Sequence, residues 1–78
     1  MEQKIKQDEI NIGQNIRRVR KQAHIGQTEL VRQLQLSGLD MTRETLVKIE
    51  RGIQHIRATQ LAAIKDALNT TYDELLKK

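Results

Sequence analysis

Residues 42–52 read TRETLVKIERG and carry both a start signal and a stop signal for one short helix. Thr42 is a good N-cap, because a threonine hydroxyl accepts a hydrogen bond from a free amide of the first helical turn. Gly52 suits the helix end, where glycine adopts the left-handed backbone conformation at little cost. Leu46 and Ile49 lie three residues apart and share one face, which predicts the buried side of a helix that ends at residue 51.

The outer face of this helix is mostly polar and basic, with Arg43, Glu44, Val47, Lys48 and Arg51 pointing away from the apolar side. A helix of this size fits the major groove of DNA, where such side chains can reach base edges. An ordinary surface helix with a solvated charged face has the same pattern. The stretch alone therefore leaves both interpretations open.

The composition of the chain favours a small helical domain. It has 78 residues, which suits a single domain with a limited core. It contains no cysteine, phenylalanine, tryptophan or proline, and Tyr72 is its only aromatic residue. The core must therefore be aliphatic, without disulfides or thiolate metal sites. Abundant Gln, Leu, Lys, Arg and Ala favour an all-α fold, a compact bundle of five short helices.

The net charge of +4 is concentrated in the middle of the chain. Residues 17–57 carry nine basic and four acidic residues, whereas the two ends together carry five basic and six acidic ones. A basic middle suits a polyanionic partner, although a soluble protein of mild basicity has a similar balance. No apolar run approaches the ~18 residues of a membrane span, and residues 1–10 lack the apolar stretch of a signal peptide. We expect a cytoplasmic protein without a membrane partner.

Apolar spacing predicts two helices before residues 42–51 and two after them. Asn11 or Asp8 is expected to cap the first helix, and Thr71 opens the last with a capping-box pattern. Residues 1–10 are assigned to an N-terminal arm or a short helical extension. The predicted helices cover 11–23, 27–36, 42–51 and 58–68, with a last short helix from Thr71, all within a domain of residues 11–78.

Two apolar residues near the central helix are expected to be buried. Leu36 is placed on the buried side of helix 27–36, beside Leu30 and Leu34. Ile53 is expected to anchor the loop that follows Gly52. Both assignments follow from the general preference of large aliphatic side chains for the interior.

Helices 27–36 and 42–51 in succession predict a helix-turn-helix, in which the second helix enters the major groove while the first crosses the phosphate backbone. Around this pair the sequence resembles the phage-repressor and Cro type of helix-turn-helix domain, from about Ile12 to Leu76. The resemblance implies a lambda-repressor-like fold that binds double-stranded DNA. It is carried, in order, by IGQNIR (12–17), QTEL (27–30), TLVKIERG (45–52), LAAI (61–64) with AL (67–68), and DELL (73–76).

The resemblance implies base-reading roles for four residues of the helix 42–51. Arg43 and Lys48 can both bond guanine, and Val47 can touch a thymine methyl group. Glu44 can accept a hydrogen bond from cytosine N4, or it can instead hold Arg43 in place.

Phosphate contacts and one structural ion pair are also implied by the resemblance. Gln27 is expected to bond a phosphate and to buttress Arg43. Arg20 and Glu50 are expected to form a structural ion pair. The expected phosphate-binding residues are Gln27, Thr42, Thr45, Gln54, Arg57 and Arg17, with Arg18 as the alternative to Arg17.

Three features depart from the pattern of this family. The connection 35–41 is about four or five residues longer than the usual tight turn, so either the second helix runs on or a loop bulges out. His24 stands where a glycine is usual. Arg57 replaces a usual capping serine or threonine.

The expected function is a sequence-specific transcriptional regulator, most simply a repressor. One module reads few bases, so binding as a homodimer to a pseudo-palindromic DNA site is expected. Tyr72, Leu75 and Leu76 either form a small dimer contact or pack within the chain. The alternative is a helical protein-interaction module of the antitoxin or transcription-coactivator type, with DNA binding secondary.

Other classes of function are disfavoured by the sequence. It has no phosphate-binding loop and no nucleophile–base pair, so we do not expect an enzyme. His24 and His55 show no spacing typical of a metal site, and no cofactor or small-molecule ligand is expected. The lack of aromatic residues disfavours binding of single-stranded nucleic acid, which relies on base stacking.

Overall fold

The computed structural model of the protein describes residues 2, 4–5 and 11–78. This part of the chain forms five helices and a two-stranded sheet, so the all-α prediction is confirmed and the sheet is an addition to it. The elements are β1 (Lys4–Ile5), α1 (Ile12–Gln22), α2 (Gln27–Leu36), α3 (Arg43–Glu50), β2 (Ile56–Arg57), α4 (Ala58–Ala67) and α5 (Tyr72–Leu75).

The core between the helices is aliphatic, as the composition predicted. Helix α3 packs against both α1 and α2, while α4 packs on α2 and α5 packs on α1. Each buried Leu or Ile contributes about 1.5–3 kcal/mol of transfer free energy, so the apolar faces of these short helices hold them together. The fully buried side chains are those of Ile12, Ile16, Leu30, Leu34, Met41, Leu46, Ile49, Ile56, Ile64 and Leu75.

Helices α1 and α3 approach each other at Gly13 without room for a side chain. A Cβ atom placed on Gly13 would collide with the backbone carbonyl oxygen of Ile49 and would crowd that of Glu50. These obstacles are backbone atoms, which cannot move aside as a flexible side chain can. Gly13 therefore fixes how closely α3 lies against α1.

Helices α1 to α4 each end in the same hydrogen-bonded motif. After α3, the amide of Gly52 donates to the Ile49 carbonyl and that of Ile53 to the Lys48 carbonyl. The motif needs a left-handed residue just after the helix. His24 occupies such a position with φ of 59°, which explains why a glycine is usual there. The four left-handed residues are His24, Gly38, Gly52 and Asn69.

Threonine caps begin two of the helices. The Thr42 hydroxyl accepts a hydrogen bond from the Thr45 amide at 3.1 Å, and the Thr71 hydroxyl accepts one from the Glu74 amide at 3.2 Å. Both caps stand where the sequence predicted them. Asn11 precedes α1 but its side chain makes no capping hydrogen bond.

The N-terminal segment contributes a strand rather than a helix. Lys4 pairs with Arg57 and Ile5 with Ile56 in an antiparallel arrangement. The predicted helical extension is therefore wrong for Lys4–Ile5. Apart from Glu2, the other residues of the segment 1–10 lie outside the described residues. The role of Asp8 as a cap therefore stays a prediction.

The start of α4 is capped by two side chains from other positions. Arg57 precedes α4 and cannot accept a hydrogen bond through its guanidinium. Instead, the Gln60 side chain accepts from the Arg57 amide at 2.8 Å, and the Glu2 carboxylate accepts from the Thr59 amide at 2.7 Å. The hydrogen bond with Thr59, with a smaller effect of Arg57, lowers the pKa of Glu2.

A buried polar residue attaches the C-terminal end of the chain to α1. The Asn15 amide donates to the carbonyl oxygens of Leu75 and Lys77, at 2.9 and 2.7 Å. Arg18 adds a hydrogen bond to the Glu74 carbonyl at 3.3 Å. Sequence reasoning did not assign Asn15 a role, although it lies in the segment that carries the family resemblance.

Two predictions of burial are wrong. Leu36 is 82% exposed, because it lies two residues beyond the buried Leu34 and so faces the opposite side of α2. Ile53 is 65% exposed, and the fully buried Ile56 alone anchors that loop. Helix α2 ends at Leu36 as predicted, so the long connection to α3 is a loop.

Candidate nucleic-acid interface

The outer face of α3 is open to solvent along its length. Arg43, Glu44 and Lys48 are exposed, and Val47 is half-buried between them. These four predicted base-reading residues line one shallow surface together with Arg51 and Ile53. The structure thus brings the four together on a single helical face, and it adds an exposed apolar residue, Ile53, that the sequence had assigned to the interior.

One ion pair lies on this outer face. The Lys48 Nζ is 3.3 Å from the Glu44 Oε1, one helical turn away. Glu44 therefore pairs with Lys48 and not with Arg43, which was the alternative partner. The Arg43 side chain makes no hydrogen bond or ion pair with any other residue that the structure describes.

The inner side of α3 is held by a buried ion pair at its C-terminal end. Arg20 of α1 donates two hydrogen bonds to the Glu50 carboxylate, at 2.8 and 2.9 Å, and a third to the Ile25 carbonyl at 3.0 Å. The Arg20 and Glu50 side chains are only 8% and 2% exposed. The hydrogen bonds to Glu50 raise the pKa of Arg20. These are the two residues that the resemblance paired.

Gln27 joins this buried pair and does not support Arg43. Its side-chain amide donates to the Glu50 Oε1 at 3.1 Å. Gln27 is the first residue of α2, so Glu50 connects the ends of α1, α2 and α3. No hydrogen bond joins Gln27 to Arg43 among the described residues, where the Gln27 amide donates to Glu50 instead.

A basic concave surface lies on one side of α3, between it and α1. Arg17 and Gln27 line it, as do Lys21 and Arg51. Arg17, Lys21 and Arg51 form no ion pair with other described residues, so their positive charges face solvent. Lys21 and Arg51 were missed as candidates, although Lys21 follows Arg17 by four residues on the same helical face.

A second concave surface lies on the other side of α3. Thr45, Gln54 and Arg57 line it, and strand β1 adds Lys4. Asp40, His55 and Gln60 complete its lining. The predicted phosphate-binding residues thus fall into two groups that flank α3. Thr42 is exposed beside the second group, with its hydroxyl hydrogen-bonded to that of Thr45 at 3.0 Å.

Two other kinds of feature are absent from the described part of the chain. It contains no group of three or more His, Cys, Asp or Glu side chains that could hold a metal ion. None of its helices is long and apolar enough to cross a membrane.

Comparison with known families identifies the type of domain. A family model described as helix-turn-helix matches residues 16–75. The chain belongs to the helix-turn-helix family. The resemblance to the phage-repressor and Cro type is thereby confirmed. Comparisons with curated proteins and with solved structures give no match.

Family membership identifies α2 and α3 as the two helices of the helix-turn-helix. Helices α2 and α3 form the motif, and the matched residues extend from the middle of α1 to the end of α5. The family consists of DNA-binding regulatory domains and is not a family of enzymes. The protein is therefore a DNA-binding helix-turn-helix regulator.

Proposed function

We propose that this helix-turn-helix domain is a sequence-specific transcriptional repressor that places α3 in the major groove of double-stranded DNA. One observation carries the proposal above all others. The outer face of α3 is exposed and polar, while its inner face is locked against α1 and α2 by Gly13 and the Arg20–Glu50 pair. A recognition helix must be held in a fixed orientation, because base contacts depend on the angle at which side chains enter the groove.

The proposed base readers are the four residues on the exposed face of α3. Arg43 is the strongest of them, because its guanidinium can bond guanine O6 and N7 together and no described residue holds it elsewhere. Val47 offers an apolar contact for a thymine methyl group. Glu44 offers an acceptor beside Arg43, and Lys48 offers a donor one turn after Glu44.

The two concave surfaces suit the phosphates on either side of the groove. A helix in the major groove, which is about 12 Å wide, has one sugar–phosphate strand on each flank. We assign Arg17 and Gln27 to one strand. We assign Arg57, with Thr42, Thr45 and Gln54, to the other. Such contacts fix the position of α3 but carry no sequence information themselves.

We further propose that the protein binds a pseudo-palindromic site as a homodimer, in the cytoplasm. A single α3 contacts too few base pairs for strong specificity, and two copies would lie about 34 Å apart on one face of the duplex. Leu75 packs within the chain, since it is fully buried. Tyr72 remains 44% exposed, with the Lys65 ammonium 4.9 Å from its ring.

A salt series on duplex DNA tests the proposal. Affinity for a random duplex should fall steeply between about 50 and 200 mM salt, because phosphate contacts release counterions. Arg17→Gln should reduce the slope of log K against log salt by about one. Lys78→Gln, which removes a charge outside both concave surfaces, should leave the slope nearly unchanged. Absence of measurable binding at low salt would reject DNA binding through this face.

A further inference from the structure

Glu44 and Lys48 form a charged pair in the middle of the exposed face of α3. Their side chains are 79% and 47% exposed, yet the Lys48 Nζ lies 3.3 Å from the Glu44 Oε1. The helix thus presents a donor and an acceptor side by side, 3.3 Å apart. We propose that the two residues act as one unit that reads the polarity of a single base pair, that is, which strand carries the base with a keto oxygen and which the base with an amino group. The inference rests on the proposed placement of α3 in the major groove.

Every base pair presents a matching couple of groups in the middle of its major-groove edge. Guanine O6 lies beside cytosine N4, and thymine O4 lies beside adenine N6. Each couple joins a keto oxygen to an amino group through a base-pair hydrogen bond of about 2.9 Å. The separation of Lys48 and Glu44 is close to this distance. Lys48 can therefore face the keto oxygen while Glu44 faces the amino group.

The ion pair need not break when such contacts form. The Lys48 ammonium has three donors, so it can bond both Glu44 and a keto oxygen. The carboxylate of Glu44 has about four lone-pair sites, so it can accept from both Lys48 and an amino group. The keto oxygen has a second lone pair and the amino group a second hydrogen, both pointing into the groove. The result is a closed ring of four hydrogen bonds.

The same arrangement accounts for a carboxylate on a basic surface that faces phosphates. An isolated Glu44 would be repelled by the negative strands of DNA, whereas contact with Lys48 cancels its charge. The unit then selects a keto base, guanine or thymine, opposite Lys48, and an amino base, cytosine or adenine, opposite Glu44. It discriminates between the two orientations of a base pair, because it contacts both bases of that pair at once.

Selection of bound sequences from a random duplex pool tests the joint reading. We expect the wild-type protein to prefer a keto base at one position, and both Glu44→Gln and Lys48→Gln to lose this preference at that same position, by roughly 5- to 150-fold. Unlike a carboxylate or an ammonium group, an amide can both donate and accept, so it can bond a keto oxygen and an amino group alike. The charge-matched controls Glu29→Gln and Lys78→Gln should keep the wild-type preferences.

Exchange of the two charges provides a sharper test. The double variant E44K/K48E retains a donor and an acceptor but swaps their places, so it should prefer an amino base where the wild type prefers a keto base. Circular dichroism of each variant checks that the helical fold is retained.

Two results would overturn the joint reading while leaving DNA binding intact. In one, the single variants relax specificity at two different base pairs, which means that the residues read separately. In the other, preferences stay unchanged, which means that Glu44 and Lys48 form an ordinary surface ion pair. A wild-type protein that binds DNA but selects no sequence would overturn both this inference and the proposed sequence-specific function.

Discussion

The inner and outer faces of α3 differ in where their side chains make contacts. On the inner face, Leu46 and Ile49 are fully buried, and the Glu50 carboxylate accepts hydrogen bonds from two other helices. On the outer face, the single ion pair among the described residues joins Glu44 to Lys48 within α3 itself. The side chains of the inner face thus make their contacts within the protein, whereas the polar side chains of the outer face can still form hydrogen bonds with a partner.

The energetic difference between the two faces follows from solvent. Removal of one partner from a buried ion pair costs about 3–5 kcal/mol, because the remaining charge is left without a partner. An exposed pair contributes only about 0.2–1 kcal/mol, because water already solvates both groups. Substitutions on the inner face should therefore change folding stability, and substitutions on the outer face should change binding.

The largest effect is expected at Gly13. The Gly13→Ala variant adds a Cβ atom against the backbone of Ile49, so α1 and α3 must separate. We expect the free energy of unfolding to fall by more than about 3 kcal/mol, and the Tm by more than about 12 °C. Gly26→Ala is a matched control, since nothing lies within 4 Å of the added atom. Equal thermal stability of the two variants would show that the close packing of α1 on α3 is not needed.

Comparison of two glutamates on α3 sharpens the contrast between its faces. Glu50→Gln removes the buried charge opposite Arg20 but keeps an amide oxygen that can accept from the guanidinium. It should therefore lower the free energy of unfolding by about 2–3 kcal/mol, less than loss of the whole partner. Glu44→Gln removes the exposed charge opposite Lys48 and should change it by less than about 0.5 kcal/mol. Urea unfolding followed by circular dichroism measures both. Similar midpoints would contradict the assignment of stability to the inner face.

Arg43→Ala should affect binding without affecting folding. Its side chain is exposed, so the free energy of unfolding should change by less than about 0.5 kcal/mol. Binding to a selected site should weaken by about 1–3 kcal/mol, with relaxed preference at one base pair. Arg32→Ala on α2, outside the three surfaces at α3, is the control. Uniform weakening on all sequences would reassign Arg43 to a phosphate contact.

The smallest effect is expected at Thr42, the residue that caps the start of α3. Thr42→Ala and Thr71→Ala each remove a hydroxyl cap with the same geometry, so each should lower the free energy of unfolding by about 1 kcal/mol. DNA affinity measured at a temperature where both variants are folded should fall for Thr42→Ala alone. An equal fall in affinity for both variants would remove Thr42 from the phosphate-binding group.

Local signals in the sequence predicted most of the fold. Thr42, Thr71 and Gly52 mark helix ends through hydrogen bonds with residues at most four positions away, and such bonds depend on little else. The apolar stripes likewise predicted the buried faces of the helices, as at Leu46 and Ile49. The base-reading candidates share one face of α3 for the same reason, since the period of a helix places them there.

Contacts between distant parts of the chain were less predictable. Strand β1 is two residues long, too short for an alternating pattern, and its pairing with β2 joins residues more than fifty positions apart. The exposure of Leu36 and Ile53 depends on what lies opposite each side chain, which hydrophobicity does not reveal. The hydrogen bond from Gln27 to Glu50 joins the start of α2 to the end of α3, 23 residues apart in the chain.

By itself, then, the sequence determined the helices of this protein, their buried faces and the family to which it belongs. These properties depend on spacing and capping within a few residues. Tertiary structure alone decided that Gly13 sets the distance between α1 and α3, that the Arg20–Glu50 pair includes Gln27, and that Lys4 joins Arg57 beside α3. These three arrangements depend on distances between segments far apart in the chain, and those distances are set only when the core packs.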